Sequence, residues 1–227
     1  MKSTDHEFVL EYLRAALDRD GERARMVIER MLELKLGMSE IFGVLAGAQV
    51  EIGEMWAKGV VSVADEHFAT DTTLKCIDLV SERLNGRGTR RRGLAFLCTV
   101  EGEYHLVGLR MFAELLGNQG WHTIMLGSNF SAGALVERAK ALRDSRVDLL
   151  CVSATMPSCL SLLVETLRRI RTEPIYERTK IVAGGPAFRS RKARSLLSEG
   201  PTGKPLADYV AWKYDSALRF TGSLAVE

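Results

Sequence analysis

The sequence predicts an α/β protein in two parts: a four-helix bundle over residues 1–86 and a parallel-sheet domain over residues 93–227, joined by a linker at 87–92. Three observations predict this. Apolar residues recur at helical spacing through the first part. Short apolar runs alternate with helical patterns through the second, the signature of right-handed βαβ units. Between them, Gly86-Arg87-Gly88-Thr89-Arg90-Arg91-Arg92 has no apolar residue at all.

In the bundle, Phe8, Tyr12 and Ala15 or Ala16 mark a first helix and Val27, Met31 and Leu34 a second. Ile41, Leu45, Ala48, Ile52 and Met55 mark a third, with Ser39 as its expected N-cap. Ser62, with Asp65 three residues on, is a cap for a fourth helix running from about Val63 to Leu84. Gly43, Gly47 and Gly53 lower helix stability and point to close packing against a neighbour or a bound group. The linker reads as a solvated basic stretch.

In the second part, strands are expected at Leu94–Val100, Trp121–Leu126, Val147–Ser153, Lys180–Ala183 and Ala207–Val210. Helices are expected near His105–Leu116, Ala132–Arg143, Ser158–Arg171 and Lys192–Leu197. In such sheets ligands sit beyond the carboxyl ends of the strands.

Composition excludes several classes of function. At 46% hydrophobic and 26% charged residues, the chain is neither disordered nor membrane-spanning. The polar N-terminus lacks a signal-peptide stretch, so a cytoplasmic location is expected. A net charge of +2 gives no strong case for nucleic acid. Cys76, Cys98, Cys151 and Cys159 form no CxxC pair and read as buried, reduced thiols. With four histidines in all, a protein-built metal cluster has little to draw on.

The strand ends carry the chemistry. After the first strand, Glu103 and His105 are two apart in a loop, close enough for the carboxylate to hold one ring nitrogen and make the other a better ligand. One histidine suffices as an axial ligand when a macrocycle already holds the metal. Gly108 permits close backbone approach. Ser153 and Thr155 follow the third strand, and Gly184-Gly185 follows the fourth, leaving room for something flat and bulky. A phosphoacceptor Asp after the third strand and a GxGxxG turn after the first are both missing, which argues against receiver and dinucleotide-binding domains.

These residues resemble the signature of the cobalamin-binding family: DxHxxG, then SxL or SxT, then GG. Here they are Glu103-Tyr104-His105-Leu106-Val107-Gly108, Ser153-Ala154-Thr155 and Gly184-Gly185, with Glu103 in place of the usual Asp. Between Thr155 and Gly184 lie 28 residues, within the family's range, and between Gly108 and Ser153 lie 44, slightly long. The resemblance implies a flavodoxin-like (Rossmann-type) domain in which His105 ligates cobalt. The displaced nucleotide tail would enter beside Ser153 and Gly184-Gly185.

Trp56, nine intervening residues and Glu66-His67 resemble the cap of light-responsive repressors of the CarH type. There a helical bundle shelters the adenosyl group, which implies contacts from Trp56, Glu66 and His67. Three departures accompany this. No MerR-type DNA-reading domain precedes the bundle, so direct DNA binding is not expected. Ala57 stands where those repressors place a second cobalt-capturing His, with His67 as a substitute. And His105-Leu106-Val107-Gly108-Leu109-Arg110 departs from the DxHDIGKN form typical of corrinoid methyl carriers.

The reading that follows is a non-enzymatic adenosylcobalamin light sensor, clasping the cofactor between its two parts. It would signal through self-association (a homo-oligomer) or a separate effector protein. The alternatives are a corrinoid methyl carrier of a methyltransferase system, or a related sensor of haem or bilin, alone or as a second tetrapyrrole.

Overall fold

The computed structural model describes residues 3–84, 92–142, 146–200 and 203–224. The chain divides into two compact units, 1–86 and 87–227. Of the expected linker at 87–92, only Arg92 lies among the described residues.

The first unit consists of α1 (Ser3–Leu17), α2 (Gly21–Glu33), α3 (Met38–Ala57) and α4 (Val63–Leu84). Most of the expected stripe residues face inward: Phe8, Tyr12, Val27, Met31, Ile41, Leu45, Ala48 and Ile52 are buried, but Leu34 lies just past the end of α2 and is 59% exposed. Burying each large aliphatic side chain contributes about 1.5–3 kcal/mol, which is what selects one packing of these helices. The short connections share one device. Helices α1, α2 and α3 each end in paired reverse hydrogen bonds, such as Lys35 N–H to the Leu32 carbonyl (2.9 Å) and Leu36 N–H to the Met31 carbonyl (3.1 Å). The left-handed residues that make these turns are Arg19, Lys35 and Gly59. Helix α4 begins at Ser62 as expected. The Asp65 amide donates to Ser62 Oγ (3.2 Å), and Asp65 Oδ2 accepts from the Ser62 amide (3.1 Å).

One expectation needs correction here, and another is met in part. Helix α3 starts at Met38, before Ser39, because Glu40 Oε2 accepts the Gly37 amide at 2.9 Å and closes the turn one residue earlier. Of the three α3 glycines, only Gly47 is closely packed: a β-carbon there would lie 3.2 Å from Val9 Cγ2. At Gly43 and Gly53 nothing lies within 4 Å.

The second unit is a parallel sheet of β1 (Gly93–Val100), β2 (Trp121–Phe130), β3 (Leu149–Ser153), β4 (Lys180–Gly184) and β5 (Tyr209–Ala211), in the order β2-β1-β3-β4-β5. Helices α5 (Val107–Asn118) and α9 (Tyr214–Ser223) cover one face. Helices α6 (Ala132–Lys140), α7 (Leu160–Thr172) and α8 (Arg191–Ser195) cover the other. Both faces of β1 are therefore apolar. Leu94, Phe96, Cys98 and Val100 pack toward α6 and α7, and Ala95 and Leu97 toward α5. The expected fold class is the observed one.

Helix α9 was not foreseen, and β2 runs four residues past its expected end. Gly127, with φ +110°, pairs with Cys98 between two register shifts that together bring Val100 opposite Phe130. The chain order reverses between β1 and β3, so the loops leaving these strands flank the crevice where such sheets bind ligands.

Candidate functional site

The loop after β1 is built around one buried carboxylate. Glu103 is 1% exposed, and its two oxygens divide their partners. Oε1 accepts the backbone N–H of Tyr104 (3.0 Å) and His105 (3.1 Å) and the His105 Nδ1–H. Oε2 reaches across the crevice and accepts the backbone N–H of Thr155 (2.7 Å) and Met156 (2.9 Å), in the loop after β3. Burial alone would raise this carboxyl's pKa, but the bonds from His105, Met156 and Thr155 together outweigh it and hold it at about 2. An ionised carboxylate only accepts, so Nδ1 carries a proton, and in the neutral ring Nε2 holds the lone pair. The His105 side chain is 56% exposed at the sheet's carboxyl end. Glu103 thus fixes both tautomer and direction of the ring.

A second layer holds that loop from below. The Thr99 hydroxyl donates to the Glu103 carbonyl. Asn129, at the end of β2, gives its amide to both Thr99 Oγ1 (3.0 Å) and the Glu103 carbonyl (3.1 Å), and its Oδ1 accepts the Gly102 amide at 2.8 Å. Asn129 adopts φ +62°, which Asn tolerates better than most residues. Sequence reading missed Thr99 and Asn129. The available signal was an Asn after Gly127-Ser128 where an apolar run breaks off.

The loops after β3 and β4 meet beside this pair. At Gly185 (φ +114°) a β-carbon would lie 2.3 Å from the Ala154 carbonyl oxygen and 3.2 Å from Ser153 Oγ. Only glycine fits, and it sets the Ser153 hydroxyl against bare backbone. Gly184 accepts the Ala154 amide at 2.9 Å and lies close to the Ala211 carbonyl. Gly108, at the start of α5, has a packing reason of its own: a β-carbon would sit 3.0 Å from the Tyr214 hydroxyl of α9. The structure therefore gathers Glu103, His105, Ser153, Thr155, Gly184 and Gly185 at one end of the sheet.

The other three sequence-singled residues belong to the bundle. Trp56 lies in the last turn of α3 and is 48% exposed. Glu66 is half-buried and accepts the Thr70 hydroxyl at 2.8 Å, and His67 is exposed, with Nε2 3.6 Å from Glu66 Oε2.

Among the described residues no three His, Cys, Asp or Glu side chains converge on a common point, so the donor set at His105 is one imidazole. One imidazole fits a metal that arrives with its other ligands.

Comparison with known proteins agrees with this donor set. Residues 93–203 match the B12 binding domain family, and residues 10–80 match a second B12 binding domain family, so the two matches cover most of the chain. Each of the two matched parts is thus a B12 binding domain.

Dimethylamine corrinoid protein 2 of Methanosarcina acetivorans is 22% identical over 184 residues, 81% of this chain and 84% of that one. Trimethylamine corrinoid protein 1 of the same organism is 23% identical over 187 residues, 81% and 85% of the two chains. In fold, this cobalamin-binding chain is similar to the Methanosarcina barkeri monomethylamine corrinoid protein. The TM-score is 0.77 at 18% identity, covering 95% of this chain and 97% of that one. No described helix is long and apolar enough to cross a membrane.

Proposed function

We propose that this chain is a corrinoid carrier of a methyltransferase system, receiving a methyl group from one partner protein and delivering it to another. The observation that supports it most is the similarity to dimethylamine and trimethylamine corrinoid proteins across about four-fifths of the chain. A cobalt corrinoid, when bound, supplies the metal centre that accepts and releases the methyl group.

The chain's own residues hold and orient. His105 Nε2 would ligate cobalt, with Glu103 keeping the proton on Nδ1 and raising the basicity of Nε2. The Thr155 and Met156 amides keep Glu103 ionised and in place. Ser153, Gly184 and Gly185 would receive the cofactor's nucleotide tail, and Gly108 would keep the start of α5 close to Tyr214.

A second reading keeps the light sensor. Its support is Trp56, a large aromatic left half-exposed ten residues before Glu66-His67. In that reading Trp56, Glu66 and His67 cover an adenosyl group.

Two measurements separate these readings. Purified chain loaded with cobalamin is mixed with corrinoid methyltransferases specific for mono-, di- and trimethylamine, and methyl exchange is followed by absorbance. The chain loaded with adenosylcobalamin is then run on a sizing column in darkness and after illumination. Exchange with a light-independent elution volume supports the carrier. A light-dependent elution volume without exchange supports the sensor, and no uptake of either cobalamin would sink both.

A further inference from the structure

The near-zero net charge conceals two oppositely charged halves. Residues 1–86 hold 10 Lys and Arg against 16 Asp and Glu, a net of −6, and residues 87–227 hold 21 against 13, a net of +8. Part of that excess is concentrated just past the Gly184-Gly185 turn, in Phe188-Arg189-Ser190-Arg191-Lys192-Ala193-Arg194.

This segment is rigidly held. Phe188 is fully buried, and the Ser190 hydroxyl accepts the Ala193 amide at 3.0 Å. Arg194 Nη1 donates to the Phe188 and Arg189 carbonyls, both at 2.8 Å, so one arginine braces the backbone that displays the others. Arg189, Arg191 and Lys192 are exposed, and none forms an ion pair among the described residues. Leu196, 45% exposed, adds an apolar contact beside them. Two other cations of this unit are matched: Arg171 pairs with Asp208 at 2.6 Å, and Lys180 lies 3.5 Å from the same carboxylate.

We infer that Arg189, Arg191 and Lys192 form the docking surface for an acidic face of the methyltransferase that exchanges methyl groups with this chain. The inference rests on the carrier reading. A carrier's metal has to enter its partner's active site, so surface near the carboxyl ends of β1, β3 and β4 falls within the contact. Three preorganised, unpaired cations there are complementary to acidic side chains, and such pairs raise association rates and fix orientation.

The probe is the purified methyltransferase that exchanges methyl groups with wild type. Its Kd for the chain, with and without corrinoid, is measured at low and high NaCl for wild type and for the R189E/R191E/K192E and R189Q/R191Q/K192Q variants. Corrinoid uptake by each variant, titrated by absorbance, reports that the fold and cofactor site are intact. The expected result is about tenfold or greater weakening for the triple-Glu variant at low salt, less for triple-Gln, with wild type converging on the variants as salt rises.

Equal Kd for wild type and variants would overturn the docking surface while leaving the carrier reading in place, as would a loss that salt does not diminish. Nucleic acid retained by wild type and shed by both variants would replace the protein partner and overturn the inference. Absence of methyl exchange with wild type would overturn the carrier reading and the docking surface together.

Discussion

Glu103 and Thr155 are joined by a 2.7 Å hydrogen bond from the Thr155 amide to the carboxylate that also holds His105. The ligand candidate on one side of the crevice is therefore anchored to the backbone on the other. Replacing Glu103 with Gln places an NH2 group against either two backbone N–H donors or the Nδ1–H. This loses a buried charge-assisted contact and costs about 2–3 kcal/mol. Urea unfolding should show that loss, and cobalamin titration should show about tenfold or greater weakening, as for other partners of metal-bound histidines. Glu103→Asp keeps the charge but shortens the arm, so it should fall between the two. Wild-type stability and affinity in Glu103→Gln would remove Glu103 from its positioning role.

Gly185 is the least substitutable position on the crevice wall. A methyl group there meets the Ala154 carbonyl at 2.3 Å with φ at +114°, so neither rotation nor a side-chain shift relieves it. Gly185→Ala should destabilise by about 3 kcal/mol or more, in the range of strained backbone and overpacked sites. At Gly43 the same change meets open space on a helix, and should stabilise by about 0.5–1 kcal/mol. Paired thermal melts check both signs. Should Gly43→Ala weaken cobalamin uptake instead, that face of α3 has a role beyond packing.

The signs that were legible in the sequence were those with a strong period or an obligatory residue. The buried strands β1 and β3 show as apolar runs, Ser62 with Asp65 marks the start of α4, and Gly185 is glycine because nothing else fits. What was hidden depended on contacts far apart in the chain. Asn129 supports Gly102 from 27 residues away, and neither residue type announces the pairing. Helix α9 lacks a side-chain cap at Lys213, and its buried residues, Ala217 and Thr221, are small or polar, so its stripe is faint. The α1 and α2 terminators escaped notice because Arg19 and Lys35 occupy positions usually signalled by glycine. The net charge was legible, but as a sum it cancelled the asymmetry between the halves.

Lys35 therefore offers a stabilising change. It holds φ +57° at the end of α2, a conformation that is costly for a residue with a β-carbon. Lys35→Gly should raise stability by about 0.5–1 kcal/mol, since glycine removes that strain but loosens the unfolded chain. The melting temperature of the purified chain measures it. An unchanged or lower value would mean that the lysine side chain contributes more than its backbone strain costs.

Asp208 makes stability depend on acid. Its carboxylate accepts Arg171 Nη2 at 2.6 Å and the Ile181 amide at 2.8 Å, with Lys180 Nζ at 3.5 Å, tying α7 to the β4–β5 edge. Burial alone would raise its pKa, but these partners, Arg171 first among them, lower it below the usual Asp range. A carboxyl depressed in the folded state binds protons more tightly when unfolded. Its contribution is thus complete above the ordinary Asp value near 4 and is lost as pH falls below that value toward the folded one. Asp208→Asn should lose about 2–4 kcal/mol near pH 7, because Arg171, whose side chain is 8% exposed, is left buried without its partner. Urea midpoints collected from pH 7 down to pH 3 should converge for wild type and variant at the acid end. Parallel curves over that range would show that the Arg171–Asp208 pair contributes nothing to the pH dependence.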